Sequence, residues 1–371
     1  MKILYGIQGT GNGHITRARV MAKAFKARGV DVDYLFSGRP DDQYFDMEVF
    51  GNYRSFEGLT FVTSQGQVKN FETFQQAHLA TLYADIQKLD VSKYDLIIND
   101  FEPISAWAGR LAKHGKKIPV INISHQASFI HSKVPVKGMS WLDKQLIRYF
   151  APADIHLGVH WYHFGESILP PFIEHNEMEC HQADPEHNDI LVYLPFENLE
   201  QIIEVLNGQH KQRFTVYHPS VEQEDEHAAV TLKKPCRDGF LEDLTNCNGV
   251  IANAGFELSS EALTMGKKLL LKPLKGQFEQ SSNAETLKQM GLATVMETLD
   301  DDVIDSWLLK DNNESINYPS DPNPVIDWIL AGDYQDPTSL CKTLWQNIGL
   351  NSLAYGNLVN QGKMADQHSM V

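Results

Sequence analysis

Residues 248–296 read NGVIANAGFELSSEALTMGKKLLLKPLKGQFEQSSNAETLKQMGLATVM, and this stretch decides the fold. Gly249–Ala252 is a short apolar strand that breaks at Asn253-Ala254-Gly255, and a helix follows near Glu257–Met265. Lys268–Leu271 is a second strand and Phe278–Met290 a second helix. Short strands alternating with helices predict a parallel sheet with right-handed crossovers. In such sheets ligands bind where strand ends meet helix N-termini, whose unpaired N–H groups favour an anion. Asn253, Ala254 and Gly255, with Ser259 and Ser260 on the first turns, suit a diphosphate. Glu261 can accept two hydrogen bonds from a vicinal diol such as a ribose. Glu279 and Gln280 open the next helix, where they could reach sugar hydroxyls.

The same alternation continues on both sides. Ile3–Ile7, Val32–Phe36, Leu96–Ile98 and Pro119–Ile123 read as strands, with helices over His14–Arg28 and Pro103–His114. The pattern stops in LPPFIEHNEMECHQADPEHN (169–188), which has three prolines, many charges and no periodicity. It restarts with DILVYLPF at Asp189. We therefore expect a Rossmann-like N-terminal domain over 1–168, a linker over 169–188 and a second Rossmann-like domain over 189–332. One helix (Thr338–Asn347) and a polar tail fill 333–371.

Bulk properties narrow the function. With 371 residues, 42% hydrophobic and 22% charged, the chain is globular and long enough for two domains. A net charge of -16 argues against a nucleic acid partner, which needs a basic surface. The four cysteines form no Cys-x-x-Cys pair, as expected in a reducing compartment. MKILYGIQGTGNGH is too short in its apolar part for a secretory leader, and no run of about 18 apolar residues occurs. A cytoplasmic location is the expectation.

The turn Gly9-Thr10-Gly11-Asn12-Gly13-His14 also lies between strand and helix. A dinucleotide fingerprint would need glycine in place of His14 and an acid ending the next strand, which instead ends Phe36-Ser37-Gly38-Arg39. His14 at the mouth of the sheet can act as a base near neutral pH. Asp100 ends the strand LIIND on the same edge and would orient it, with Glu102 as a substitute. Ser124-His125 follows another strand and either caps a helix or touches the acceptor.

The 248–296 segment resembles the donor-binding signature of the UDP-glycosyltransferases and of the lipid-II-forming N-acetylglucosaminyltransferase. The shared frame is Gly255, Glu261, Ala262, Gly266, Pro273, Gln280, Asn283 and Ala284. GTGNGH with Ala18 and Arg28-Gly29 looks like the N-terminal loop of those enzymes, and IINDFEP like the segment carrying their aspartate. The resemblance implies a GT-B fold, two Rossmann-like domains with parallel sheets facing across a cleft. It implies an inverting, metal-independent glycosyltransferase that moves a sugar from a nucleotide diphosphate, a UDP-sugar, to a hydroxyl acceptor. That acceptor would be a glycan, a lipid-linked molecule or a small molecule. No cofactor is implied beyond the nucleotide-sugar co-substrate. His14 would be the base and Asp100 its partner. Asn253, Ala254, Ser259, Ser260 and Asn283 would belong to the donor site, with Gly255 and the N–H groups around it facing the diphosphate, Glu261 the ribose, and Glu279 with Gln280 the sugar. Gly11, Asn12, Gly13, Glu102, Ser124 and His125 would line the acceptor or phosphate loop. The chain departs from the frame at Asn253, where plant members have histidine, and at Phe256-Glu257-Leu258. Glu257 beside a diphosphate is repulsive unless it turns outward.

Alternatives remain. A non-hydrolysing UDP-sugar 2-epimerase shares this fold and donor site, and an inactive nucleotide-sugar-binding protein would keep the site without turnover. His156, His160 and His163 could hold a metal on a helix, yet DIHLGVHW reads as a strand and its exit, which spreads the rings. MSWLDKQLIRYF (139–150) reads most simply as an amphipathic core helix, and secondly as a membrane-surface patch.

Overall fold

The computed structural model describes residues 1–58, 63–64, 67–68, 79–111, 117–174, 189–208, 212–332, 334, 336–346 and 348. The first half contains β1 (Lys2–Gln8), α1 (Asn12–Ala27), β2 (Asp31–Ser37) and β3 (Tyr53–Phe56). A small antiparallel pair, β4 (Thr63–Ser64) and β5 (Gln67–Val68), stands apart from the main sheet. Then follow α2 (Leu79–Lys88), β6 (Leu96–Asp100), α3 (Pro103–Arg110), β7 (Val120–Ser124), α4 (His125–Ser128), α5 (Trp141–Phe150), β8 (Ile155–Val159) and β9 (Ile168–Leu169). The sheet runs β3-β2-β1-β6-β7-β8-β9 with parallel pairing throughout. β6 and β7 are buried along their whole length, as strands covered on both faces must be.

The second half repeats the plan. It has β10 (Asp189–Tyr193), α6 (Leu199–Asn207), β11 (Arg213–Tyr217), β12 (Asp225–His227), β13 (Val230–Lys233) and α7 (Arg237–Asn246). β14 (Gly249–Ala252), α8 (Phe256–Thr264), β15 (Lys268–Leu271), α9 (Phe278–Gln289), β16 (Ala293–Val295) and α10 (Asp301–Leu308) follow. The order is β12-β13-β11-β10-β14-β15-β16, and only the edge strand β12 is antiparallel. Each sheet is a Rossmann-like unit, and together they form the GT-B architecture.

In both units the first strand lies between strands whose crossovers leave in opposite directions. β1 is flanked by β2 and β6, and β10 by β11 and β14. A crevice opens at the carboxyl ends of such strands. Register places Ile7 opposite Asp100 in one unit and Tyr193 opposite Ala252 in the other, so the loops that follow belong to these crevices. One apolar cluster runs through both units, from Ile3 and Phe36 through Trp161 and Phe256 to Leu269.

Two helices at the end of the chain, α11 (Asn323–Ala331) and α12 (Thr338–Trp345), return to the first unit. Arg28, just past the end of α1, reaches Asp327 at 2.5 Å, and the Trp345 ring N–H donates to the Ile168 carbonyl at 2.7 Å.

Two expectations need adjustment. The stretch read as a linker begins inside the fold: Leu169 belongs to β9, Phe172 and Ile173 are buried, and Ile173 N–H donates to the Pro319 carbonyl. Its remainder, 175–188, lies outside the described residues. α5 is not a core helix. Only Ile147 and Phe150 are buried, whereas Trp141 is 71% and Leu142 69% exposed, and Leu146 and Tyr149 also face outward. The apolar residues circle more of the helix than one packing face can cover, and the Ser140–Asp143 capping box starts it without help from neighbours.

Candidate functional site

The site is assembled from three helix N-termini that face the cleft. α1 follows Gly11, α8 follows Gly255 and α9 follows Gln277, and none has a side-chain cap on its first N–H groups. These groups and the helix dipoles are therefore open to an anion. By contrast α3 and α4 are capped from within. Glu102 accepts from the N–H groups of Ile104 and Ser105 at 2.7 Å and from the Ser37 hydroxyl at 2.7 Å. Both of its oxygens are engaged and buried, so Glu102 anchors α3 and does not stand in for Asp100. Ser124 likewise caps α4 through the Ala127 N–H.

His14 sits on the first turn of α1, with Nδ1 2.7 Å from Asp100 Oδ1. Asp100 is fully buried at the end of β6. With Nδ1–H donated to a carboxylate, Nε2 is left as the basic atom. Asp100 has a second partner that the sequence reading missed. Arg17, one turn along α1, grips both carboxylate oxygens, Nε to Oδ2 at 2.9 Å and Nη2 to Oδ1 at 2.8 Å. Burial works against the charge on Asp100, but Arg17 and then His14 outweigh it and hold its pKa below the usual range. The signal was present in the His-x-x-Arg spacing, which places both residues on one helical face.

Glu257, the departure noted in the donor segment, does turn away from the α8 N-terminus. Its carboxylate pairs with Arg17 Nη1 across the cleft. Its side chain runs over Gly13, where an added Cβ would lie 2.5 Å from Glu257 Cγ. Burial pushes the Glu257 carboxyl up to about 7 against the pull of Arg17. Glu261 stands one turn further along α8. Burial, with Glu257 and Glu174 nearby, pushes it up to about 8.

Of the remaining residues of the expected donor site, Asn283, Glu279 and Ser260 bond across to the first unit, and Asn253, Ser259 and Gln280 bond within the second. Asn283 is fully buried; its amide donates to the Ala254 carbonyl at 3.0 Å and faces His125 Nε2 at 2.8 Å. The other ring nitrogen of His125 lies 2.8 Å from the Val159 carbonyl, and the ring stacks on Phe256 at 4.0 Å. Ser259 and Ser260 bond back to the carbonyls of Gly255 and Phe256, and Ser260 also accepts from the Trp161 ring N–H at 2.9 Å. Gln280 Oε1 accepts from Leu274 N–H, and Glu279 accepts from Gln126 at 3.2 Å. Asn253 donates to the Lys272 carbonyl at 2.8 Å and to Glu197 at 3.3 Å. Gly11 and Asn12 are exposed at the start of α1, and Asn12 accepts from Arg39 at 3.1 Å. His156 and His163 are half-buried, and burial pushes each down to about 4. His160 and His163 use Nδ1 to accept from the N–H groups of Trp161 and Gly165.

Comparison with known proteins agrees with this architecture. Residues 1–310 match the family model described as glycosyl transferase family 1. A curated relative, the processive diacylglycerol beta-glucosyltransferase of Bacillus cereus strain B4264, is 22% identical over 88% of this chain and 92% of its own. Among solved structures, the glycotransferase of kitacinnamycin superposes with a TM-score of 0.58 at 14% identity, covering 98% of this chain and 99% of that one. MurG of Acinetobacter baumannii gives 0.53 at 15% identity over 89% and 100%. At such identities the superpositions speak for the fold.

Proposed function

The chain belongs to glycosyl transferase family 1 and is a glycosyltransferase; from that premise we propose that it carries out inverting, metal-independent transfer from a UDP-sugar to a hydroxyl acceptor. The observation that carries this reading is the His14–Asp100 pair at the crevice of the first unit, opposite the open N-termini of α8 and α9. His14 Nε2 removes the acceptor proton as the hydroxyl attacks the anomeric carbon. The C–O bond to the diphosphate breaks on the opposite face, and the configuration inverts. The helix N-termini stabilise the charge that develops on the leaving diphosphate, and holding both substrates across the cleft supplies much of the rate. Glu261 holds the ribose, and Glu279 with Gln280 the sugar. The His14→Ala variant tests the base. It should lose about two to four orders of magnitude in turnover while keeping UDP affinity, and a variant with wild-type turnover would remove His14 from the mechanism.

The exposed face of α5 favours an acceptor presented at a membrane surface. Trp141, Leu142, Leu146 and Tyr149 are exposed on α5, which also carries the exposed Arg148. Exposed apolar and aromatic side chains with a cation on the same helix suit an interfacial helix on anionic lipid. The curated relative acts on diacylglycerol by its name, which supports the same reading. Among the described residues no helix is long and apolar enough to cross a membrane, so the contact proposed is peripheral.

A further inference from the structure

We propose that Arg17 is a positioning residue through which contact between the two units sets the His14–Asp100 pair, with Glu257 as the group that engages it from the donor side. The inference deepens the proposed function and rests on His14 as the base.

The geometry is that of a switch contact rather than a surface ion pair. Arg17 is 3% exposed, and its guanidinium is shared between two carboxylates on opposite sides of the cleft. Nε and Nη2 form a parallel fork on Asp100, an arrangement that fixes the carboxylate plane as well as its charge. The same Nη2 lies 3.3 Å from His14 Nδ1, so the fork also limits where that ring can turn. Nη1 is the one arm directed away from Asp100, and Glu257 occupies it. Lysine could supply the charge but not this fork.

A chemical reason follows for placing a cation here. A buried carboxylate whose only partner is a neutral imidazole is poorly compensated, and it would favour keeping a proton on that ring. Arg17 provides the countercharge itself, so Asp100 stays ionised whether or not His14 carries the proton. The groups around the pair are Arg17 on α1, Tyr5 on β1, and Glu257 on α8, and Arg17 is the only fixed cation among them.

Glu257 links this arrangement to the second unit. It extends from the first turn of α8 across Gly13, a position where any side chain would collide with it. The chain thus provides both the carboxylate and the space it needs. When the units separate, Nη1 loses its partner and the α1 turn carrying His14 loses the side chain packed over Gly13. Orientation of the base becomes conditional on the seam.

The test uses the full chain labelled with 15N-histidine, with His14 assigned by the signals missing from His14→Ala. In the wild type, His14 should show a single Nδ1–H tautomer. Arg17→Met should convert this to a mixture of tautomers. Glu257→Gln is nearly isosteric and keeps the fold testable if Arg17→Met misfolds. It should broaden the His14 signals and raise the radius of gyration in solution scattering. Wild-type His14 signals in a folded Arg17→Met, or wild-type signals and dimensions in Glu257→Gln, would overturn the proposal. Failure of the base assignment would appear elsewhere, as wild-type turnover in His14→Ala, so the two can be told apart.

Discussion

Asn283 distinguishes a nucleotide contact from a structural clamp, and truncating it measures which dominates. Its side chain is fully buried between the Ala254 carbonyl at 3.0 Å and His125 Nε2 at 2.8 Å, one partner from each unit. Asn283→Ala would leave both partners buried with nothing to bond, and each orphaned polar group costs about 1–3 kcal/mol. The expected loss is therefore about 2–6 kcal/mol. For a chain of this size a kcal/mol corresponds to roughly 2 °C in Tm, giving a fall of about 4–12 °C. Calorimetric unfolding with and without UDP is the assay. Its second output is the shape of the transition, because weakening the seam should let the two units melt apart as two peaks. UDP affinity should change much less than stability. A Tm within about 1 °C of wild type together with a large drop in UDP affinity would refute the clamp argument and return Asn283 to the donor site.

Three further outcomes follow from the site. Burial pushes the Glu261 carboxyl up to about 8 in the fold, so folding takes up a proton there. Its contribution to the native state is fully present below about pH 4.5 and is lost as pH rises through about 8, so Tm should fall by a few degrees across pH 6 to 8. The Glu261→Gln variant should flatten that slope; an unchanged slope would locate the proton uptake elsewhere. Glu261→Ala should weaken UDP binding about tenfold or more by calorimetry, since a ribose diol loses two acceptors, and unchanged affinity would contradict the ribose role. Replacing Trp141, Leu142 and Leu146 with serine should abolish co-sedimentation with vesicles containing anionic lipid, with no loss of thermal stability because these side chains are exposed. Binding that survives the triple change would place any membrane contact on another surface.

Local pattern carried most of the fold. The strands around Ile3–Ile7, Leu96–Ile98 and Gly249–Ala252 are apolar runs ended by turn residues, so their positions could be read from periodicity and breakers alone. The pairing of His14 with Asp100 was also legible, because the turn after β1 leads into His14 and Asp100 ends β6, two strands that a Rossmann-like order brings together. What was not legible depends on contacts between distant segments. Glu257 looked unfavourable beside a diphosphate because its partner, Arg17, lies 240 residues away on the other unit. Glu102 looked like a reserve for Asp100, since spacing cannot reveal that its oxygens cap α3. The outward turn of α5 was similarly hidden. Apolar residues at helical spacing tell that a helix has a water-avoiding side, not whether protein or something else covers it.

The return of α11 and α12 to the first unit has a bearing on how this protein is made. β9 is the edge of the first sheet, and the Trp345 ring closes on its Ile168 carbonyl, while Arg28, just past α1, bonds to Asn323 and Asp327. A nascent chain that has emerged only as far as the donor unit thus carries a first sheet with its last edge uncovered and one flank of α1 bare. Synthesis must pass residue 345 before these surfaces are sealed. Premature termination or proteolysis between the two units would leave a fragment with an open strand edge, the feature that invites intermolecular pairing. The last helices therefore complete the covering of the first unit, although Trp345 lies 177 residues beyond Ile168.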